Sequence, residues 1–331
     1  MSTAGRIVLL VTSPRLPAGL LTATAWDLVR AHPVFTAADG DQARALRSCG
    51  VTVDVVEPDP EALVAALASH QTVIWLGGAT GDEDFARRLG LRLAREPSLA
   101  ELELCYGSWD PPGARLLDAV AVMDRLASPG GDPWKRQQTH ASLAQYLLEE
   151  SYEAYDAIVS GDLSALREEL GDVLLQVVLH ARLAENLDSD ERWSIDDVAG
   201  GLVDKMVRRN PHVFAGESVG SVEEIIDNWE RIKKAEKSRD SVLDGIALSQ
   251  PALALAAKMI QRASRAGLDV PLPSGPDLGA TLLRLVAGAG ADGQDPEAAL
   301  RQAAIELAEE IRRGEAEARD GAAHESVAPA E

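Results

Sequence analysis

The stretch Leu147–Ile158, LLEESYEAYDAI, decides how the chain is read. Its spacing predicts a helix, yet Glu150 and Glu153 stand where leucines are expected. The apolar positions Leu143, Tyr146, Leu147, Ala154 and Ile158 lie three and four residues apart, and such residues share a helix face. Continued from Leu147, that stripe passes through Glu150 and through Glu153 or Ala154. Both carboxylates therefore fall on or beside the core-facing seam. Glu149 lies one position round, i,i+4 to Glu153.

The next helix, expected over Leu163–Leu187, repeats the pattern. Its stripe is Leu163, Leu166, Leu170, Val173 and Val177; Glu169 and Asp172 flank it, and Gln176 follows. Between the two helices lies VSGDLS, with Gly161 as helix stop and Asp162 as N-cap. Helices joined so briefly pack antiparallel, so the four carboxylates face one another across one interface. Two like charges about 5 Å apart repel by roughly 3 kcal/mol at an effective dielectric near 20. Protonation relieves that, and so do cations. Hard divalent ions prefer carboxylate oxygen, and Mg²⁺ takes few protein ligands and keeps waters for a phosphate substrate. The competing reading is a solvated acidic face with i,i+4 pairing.

Outward from this pair the chain divides. Residues 1–110 alternate strand and helix patterns: RIVLLV (Arg6–Val11), a helix over Leu21–Ala31, VTVDVV (Val51–Val56), a helix over Glu61–His70, and TVIWLGG (Thr72–Gly78). Strands alternating with helices predict a parallel sheet, here a small α/β domain. The loop VTSPRLPAG is not a glycine-rich phosphate cradle. Residues 115–270 read as an all-α domain, with helices over Leu116–Ala127, Thr139–Ser160, Leu163–Leu187, Ile195–Arg209, Glu223–Arg239 and Pro251–Ala266. Residues 271–331 read as a Pro/Gly linker, helices over Ala280–Ala289 and Pro296–Arg319, and a disordered end, DGAAHESVAPAE. The fold class expected is thus α+β multidomain: an N-terminal α/β domain, a helical bundle, and an acidic helical tail.

The net charge of −21 repels nucleic acid phosphates, so no nucleic acid partner is expected. No apolar run approaches the about 20 residues needed to cross a bilayer, and no secretory signal pattern opens the chain; a cytoplasmic protein with no membrane partner is expected. Cys49 and Cys105 give neither a disulfide framework nor a metal-site spacing. Lys205 and Arg209, i,i+4 on one face, read either as phosphate contacts or as a basic helix end complementing the macrodipole, with Arg208 beside them. Trp229 and Lys233, also i,i+4, read either as a base- or ribose-stacking pair or as a packed tryptophan and a surface lysine. His140, His180 and His212 show no nucleophile partner or metal spacing and are read as structural.

EESYE (Glu149–Glu153) followed by EELGD (Glu168–Asp172) resembles the EExxE…ExxD signature of the all-α nucleoside triphosphate pyrophosphohydrolases, most closely the MazG family. DPWKRQQTHASLAQYLLEESYE, ELGDVLLQVVLHA, KMVRRNPHVF, NWERIKKAEK and QPALALAAKMIQRASRAGLD extend the resemblance over residues 115–270. It implies Mg²⁺-dependent hydrolysis of a nucleoside triphosphate to monophosphate and pyrophosphate, with Mn²⁺ as a substitute ion, in a homodimer, in nucleotide pool clean-up. It implies Glu150, Glu153, Glu169 and Asp172 as metal ligands and Glu149 as the neighbouring carboxylate that orients a ligand or activates water. Lys205, Arg209, Trp229 and Lys233 are the nucleotide-binding residues it implies. A narrower dUTP or dCTP hydrolase and a non-catalytic helical dimerisation module remain alternatives. Many members read Gly-Cys-Pro-Trp-Asp where this chain has Gly131-Asp132-Pro133-Trp134-Lys135, which bears on loop packing. The C-terminal AALRQAAIELAEEIRRGE lacks a second ExxD, so no second site is expected. Residues from the opening strand through LLTATAWDLVRAHPVFTA resemble the start of a tetrapyrrole-methylase-like domain in degenerate form, without its glycine-rich loop, which implies a scaffold or partner-binding role rather than methyl transfer.

Overall fold

The computed structural model describes residues 5–78, 81–216, 220–236 and 241–325; at 230, 234, 235 and 320–325 it describes the backbone. The chain forms two compact units, Met1–Leu202 and Val203–Glu331. The sequence divides by composition near residues 110 and 270, whereas the packing divides at 202/203, inside a helix.

The first unit opens with five parallel strands: β1 (Gly5–Val11), β2 (Val34–Thr36), β3 (Val53–Val55), β4 (Thr72–Leu76) and β5 (Ala100–Tyr106), in the sheet order β3-β2-β4-β1-β5. From β1 the chain moves one way across the sheet to β2 and β3, then returns through β4 to β5. Right-handed crossovers then put the helices of the outward leg and those of the return leg on opposite faces. Accordingly α1 (Ala23–Ala31) and α2 (Asp41–Ser48) pack through Ala25, Val29 and Leu46 against Val8, Leu10, Ile74 and Leu76. On the other face α3 (Pro60–Ala66) and α4 (Glu83–Arg95) pack through Leu63, Phe85, Leu89 and Leu93 against Ile7, Val73 and Trp75.

The parallel α/β domain is therefore as expected in class, but richer than the three strands and two helices read from the sequence. Strands β2 and β5, and helices α2 and α4, were not anticipated. The reason for β5 is its place at the sheet edge: Leu102 and Leu104 stay 40% and 52% exposed, so its sequence, AELELCY, carries no buried run. A cavity of about 340 Å³ lies at the carboxyl ends of β1, β2 and β4, its described lining holding one charged side chain, Asp41, and no cation. The loop after β1 contributes Thr12, Ser13 and Pro14 to that lining. Arg15 in this loop donates from Nε and Nη2 to Asp118 (2.8 and 2.6 Å) and also pairs with Asp110. Asp118 belongs to α5 (Arg115–Ala127), so this fork ties the sheet to the helices that follow.

Those helices are α6 (His140–Ser160) and α7 (Leu163–Ala184), with α8 (Ile195–Arg209) crossing into the second unit. Thr139 and Ser142 form a capping box at the start of α6. Gly161 ends it at φ 73°, a left-handed conformation that favours glycine. Asp162 caps α7 by accepting from the Ser164 and Ala165 amides. The turn forms as its sequence predicts, and α6 and α7 pack along each other.

The buried faces need correcting. Leu163, Leu170 and Val177, expected in the α7 stripe, are 77%, 52% and 36% exposed, and Ile158 of α6 is 59% exposed. The core is instead Met123, Leu143, Val178 and Leu179, with Ala154, Ala157 and Gln176 also buried. Helix α7 is apolar on more than one side, and it packs against both α5 and α6. Spacing alone could not choose between its faces. Glu169 and Asp172, read as flanking the stripe, are half-buried while Leu170 between them faces outward.

The second unit holds the end of α8 together with α9 (Pro211–Phe214), α10 (Val222–Ala235), α11 (Ala252–Arg265), α12 (Leu278–Ala291) and α13 (Pro296–Glu325). Helices α11, α12 and α13 pack on one another. The preceding Pro/Gly segment is pinned by Arg284, whose Nη1 donates to the Pro273 and Gly275 carbonyls. The helix expected over Glu223–Arg239 ends as α10 at Ala235, and residues 237–240 lie outside the described residues. Helix α13 runs to Glu325, into the stretch expected to be disordered; residues 326–331 lie outside the described residues.

Candidate active site

The carboxylates come together between α6 and α7. Glu150, Glu169 and Asp172 each offer an oxygen, and these ligand atoms all lie within 4.8 Å of one another. Residue 150 lies on the line through Leu143, Ala154 and Ala157 that α6 turns inward. Residues 169, 172 and 176 form the matching line on α7, and it leads into the buried Gln176 and Leu179. All three residues are half-buried, which is where a carboxylate keeps access to water while feeling its neighbours strongly.

Two of the three are held above the usual carboxylate range. Partial burial, then repulsion from Asp172 and Glu153, pushes Glu150 up. Partial burial, then repulsion from Glu153 and Asp172, pushes Glu169 up. Glu153 is itself exposed and outside the closest trio, yet as a neighbouring negative charge it raises both Glu150 and Glu169. Glu149 is exposed and acts on Glu150 only as a further repelling charge. The donor set is all carboxylate oxygen, half-buried and self-repelling, and it fits a hard divalent cation.

The family model described as MazG nucleotide pyrophosphohydrolase domain matches residues 138–214, which take in α6, α7 and all five acidic residues. The 26.1 kDa protein of the blaB 3′ region of Streptomyces cacaoi is 52% identical over 66% of this chain and 89% of its own length. The chain belongs to the MazG family. A protein of Mycobacterium tuberculosis named nucleoside triphosphate pyrophosphohydrolase is 54% identical over 48% of this chain and 48% of its own. One of the same name from Mycolicibacterium smegmatis is 46% identical over 65% of this chain and 64% of its own. The chain thus spans about half to two thirds of these two named relatives.

The cationic residues lie on α8 and α10. The Arg209 guanidinium stands 5.0 Å from the Trp229 ring centre, and Lys233 Nζ stands 4.6 Å from it. Three of the four nucleotide-binding candidates, Arg209, Trp229 and Lys233, therefore form one cluster. Lys205 is half-buried one turn before Arg209 on α8. Trp229 is more than a free stacking surface, because it already carries two cations.

Glu236, at the end of α10, was not singled out from the sequence. It accepts from Arg209 Nε (3.1 Å) and Nη2 (2.6 Å) and from Arg208 Nε (2.7 Å). Those two guanidiniums hold its carboxyl down at about 2. The one available signal was its position three residues after Lys233, on the face that carries Trp229.

Loop 128–138 shows what replaces the usual family sequence. Asp132 accepts from the Trp134 amide (3.0 Å) and from Lys135 Nζ (3.4 Å), and Trp134 meets Tyr146 of α6 edge-on at 5.8 Å. Gly131 is required there: a Cβ would lie 2.3 Å from the Arg125 and Leu126 carbonyl oxygens. His140 and His180 stack at 5.0 Å, with their Nδ1 atoms 2.7 Å apart, away from the acidic trio in sequence and on opposite helices. Among the described residues no helix is long and apolar enough to cross a membrane.

Proposed function

We propose that this MazG protein hydrolyses nucleoside triphosphates between the α and β phosphates, giving monophosphate and pyrophosphate. The observation that carries the reading is the convergence of Glu150, Glu169 and Asp172 within 4.8 Å between two antiparallel helices, with Glu153 near enough to repel the first two. The names of the mycobacterial relatives support the same reaction.

Glu150, Glu153, Glu169 and Asp172 would hold the metal, with Mg²⁺ as the natural ion and Mn²⁺ as a substitute. When bound, such an ion supplies the positive charge that lets a triphosphate approach four carboxylates and polarises its phosphoryl oxygens. The chain's own residues do the rest. Desolvation and mutual repulsion raise Glu150 and Glu169, so a cation bound there relieves charge that the fold otherwise keeps crowded. Glu149, exposed beside Glu150, orients a ligand carboxylate or takes a proton from the attacking water. Lys205, Arg209, Trp229 and Lys233 bind the nucleotide through phosphate contacts and stacking.

The functional segmentation goes with this reading: a degenerate α/β domain over 1–110, the catalytic helical domain over 115–270, and an acidic helical region over 271–331. The protein is assigned to the cytoplasm, with no nucleic acid or membrane partner, on its charge of −21 and its lack of a long apolar run. It works as a homodimer. Leu148, Tyr152, Tyr155 and Val159 form an exposed apolar stripe on α6, and Leu163, Leu170 and Val177 form one on α7. Such faces are buried when helix pairs associate.

The deciding experiment is product analysis with ATP, GTP, CTP, UTP, dUTP and dCTP in the presence of Mg²⁺. Pyrophosphate and monophosphate are expected. Release of orthophosphate places the cleaved bond elsewhere, and intact nucleotide throughout leaves a non-catalytic dimerisation module.

A further inference from the structure

We infer that Glu236 is a positioning residue for phosphate binding: it bridges Arg208 and Arg209 and fixes the Arg209 guanidinium against Trp229. The inference rests on the pyrophosphohydrolase reading and extends it to a residue outside the acidic cluster and outside the matched stretch 138–214.

The geometry is specific. Glu236 takes the Nε–Nη2 edge of Arg209 and, through its other oxygen, Nε of Arg208. The side chains of Arg209 and Glu236 are only 11% and 15% exposed, while that of Arg208 is 54% exposed. An arginine presents five N–H donors in a planar fork. One carboxylate on the Nε–Nη2 edge leaves the Nη1 end of Arg209 and both terminal nitrogens of Arg208 for another anion. Among the described residues no hydrogen bond to those three nitrogens is found. One carboxylate against two guanidiniums also leaves the triad with a net positive charge, in a protein whose total is −21.

An ion pair that existed only to close a helix end would need one arginine. Here a single carboxylate orders two adjacent arginines of α8, and the inner one lies over the indole that Lys233 also touches. Fixing the guanidinium plane in advance removes rotamer entropy that phosphate binding would otherwise cost, and planar, bidentate capture of phosphate depends on that plane. The consequence is an effect on affinity rather than on the chemical step.

The test is Glu236→Gln, studied by steady-state pyrophosphate release from a nucleoside triphosphate with Mg²⁺, and by calorimetric titration with inorganic pyrophosphate. The variant is expected to raise KM about tenfold with kcat within about threefold, and to weaken pyrophosphate binding by a similar factor. In an Arg209→Ala background the same substitution should add less than about twofold, because Glu236 acts through Arg209. An unchanged KM and pyrophosphate affinity in Glu236→Gln overturns the inference, as does a full effect in the Arg209→Ala background. If circular dichroism shows Glu236→Gln to be unfolded, Glu236→Asp takes its place. It keeps the charge, retracts the carboxylate by one methylene, and is read by the same criteria. Wild-type protein that releases no pyrophosphate but binds it in a Glu236-dependent way sinks the reaction and leaves this inference standing. Wild-type protein that neither releases nor binds it sinks both.

Discussion

Glu150 shows what a single side chain reports about this site. Its carboxyl is raised by partial burial and by Asp172 and Glu153, so in the metal-free fold its charge works against the structure. A raised carboxyl favours folding below its unfolded value and loses that advantage as pH climbs through the folded one. At neutral pH, Glu150→Gln is therefore expected to raise the melting temperature of metal-free protein while reducing the additional rise on adding Mg²⁺. A fall in the metal-free melting temperature would sink the crowded-carboxylate reading. Glu153→Ala and Asp172→Ala are expected to abolish turnover with helix content unchanged by circular dichroism. Retained turnover in either variant counts against that ligand. The acid residues were legible in the sequence because their three-residue spacing is a local property. Glu236 was not, because its meaning depends on Arg208 and Arg209, 28 and 27 positions earlier in the chain.

Helix α6 is framed by a capping box at Thr139 and a left-handed glycine at Gly161, and α7 starts at once on the Asp162 cap. These stops are short-range and fix where the two helices run. They leave the facing sides open, and for α7 the sequence pointed to the wrong side. One contact between these elements has a pH signature of its own. The His140–His180 stack joins the start of α6 to the second half of α7, and burial, then His140, lowers the His180 pKa below its ordinary value of 6.5. His180 Nε2 is buried without a hydrogen-bond partner. A base that is harder to protonate in the fold than in the unfolded chain makes stability fall as pH drops through the unfolded value, levelling off below the folded one. Denaturant midpoints should decline as pH falls from about 6.5, and His180→Phe should flatten that decline. An equal decline in the variant assigns it to other groups.

At the scale of the whole molecule, the apolar residues left exposed on α6 and α7 bear on assembly. Light scattering after size exclusion is expected to give twice the chain mass of 35.2 kDa. Leu148→Glu combined with Val159→Glu, which places charge on the α6 stripe away from the acidic trio, is expected to shift that to one chain mass. A wild-type monomer, or a double variant that remains a dimer, rules this face out as the interface.

By itself the sequence determined the alternation of strand and helix in the first hundred residues, the positions of the helix caps, and the pairing of acids at 150 and 153 and at 169 and 172. Each of these is set by groups a few residues apart, through hydrogen bonds to the nearest amides or through helical periodicity. Only the tertiary structure decided the strand order β3-β2-β4-β1-β5, the face of α7 that is buried against α5 and α6, and the joining of Glu236 to two arginines of α8. Those outcomes depend on which surfaces meet after distant segments pack, and an element that is apolar on several sides, or a lone carboxylate, carries no local record of its partner.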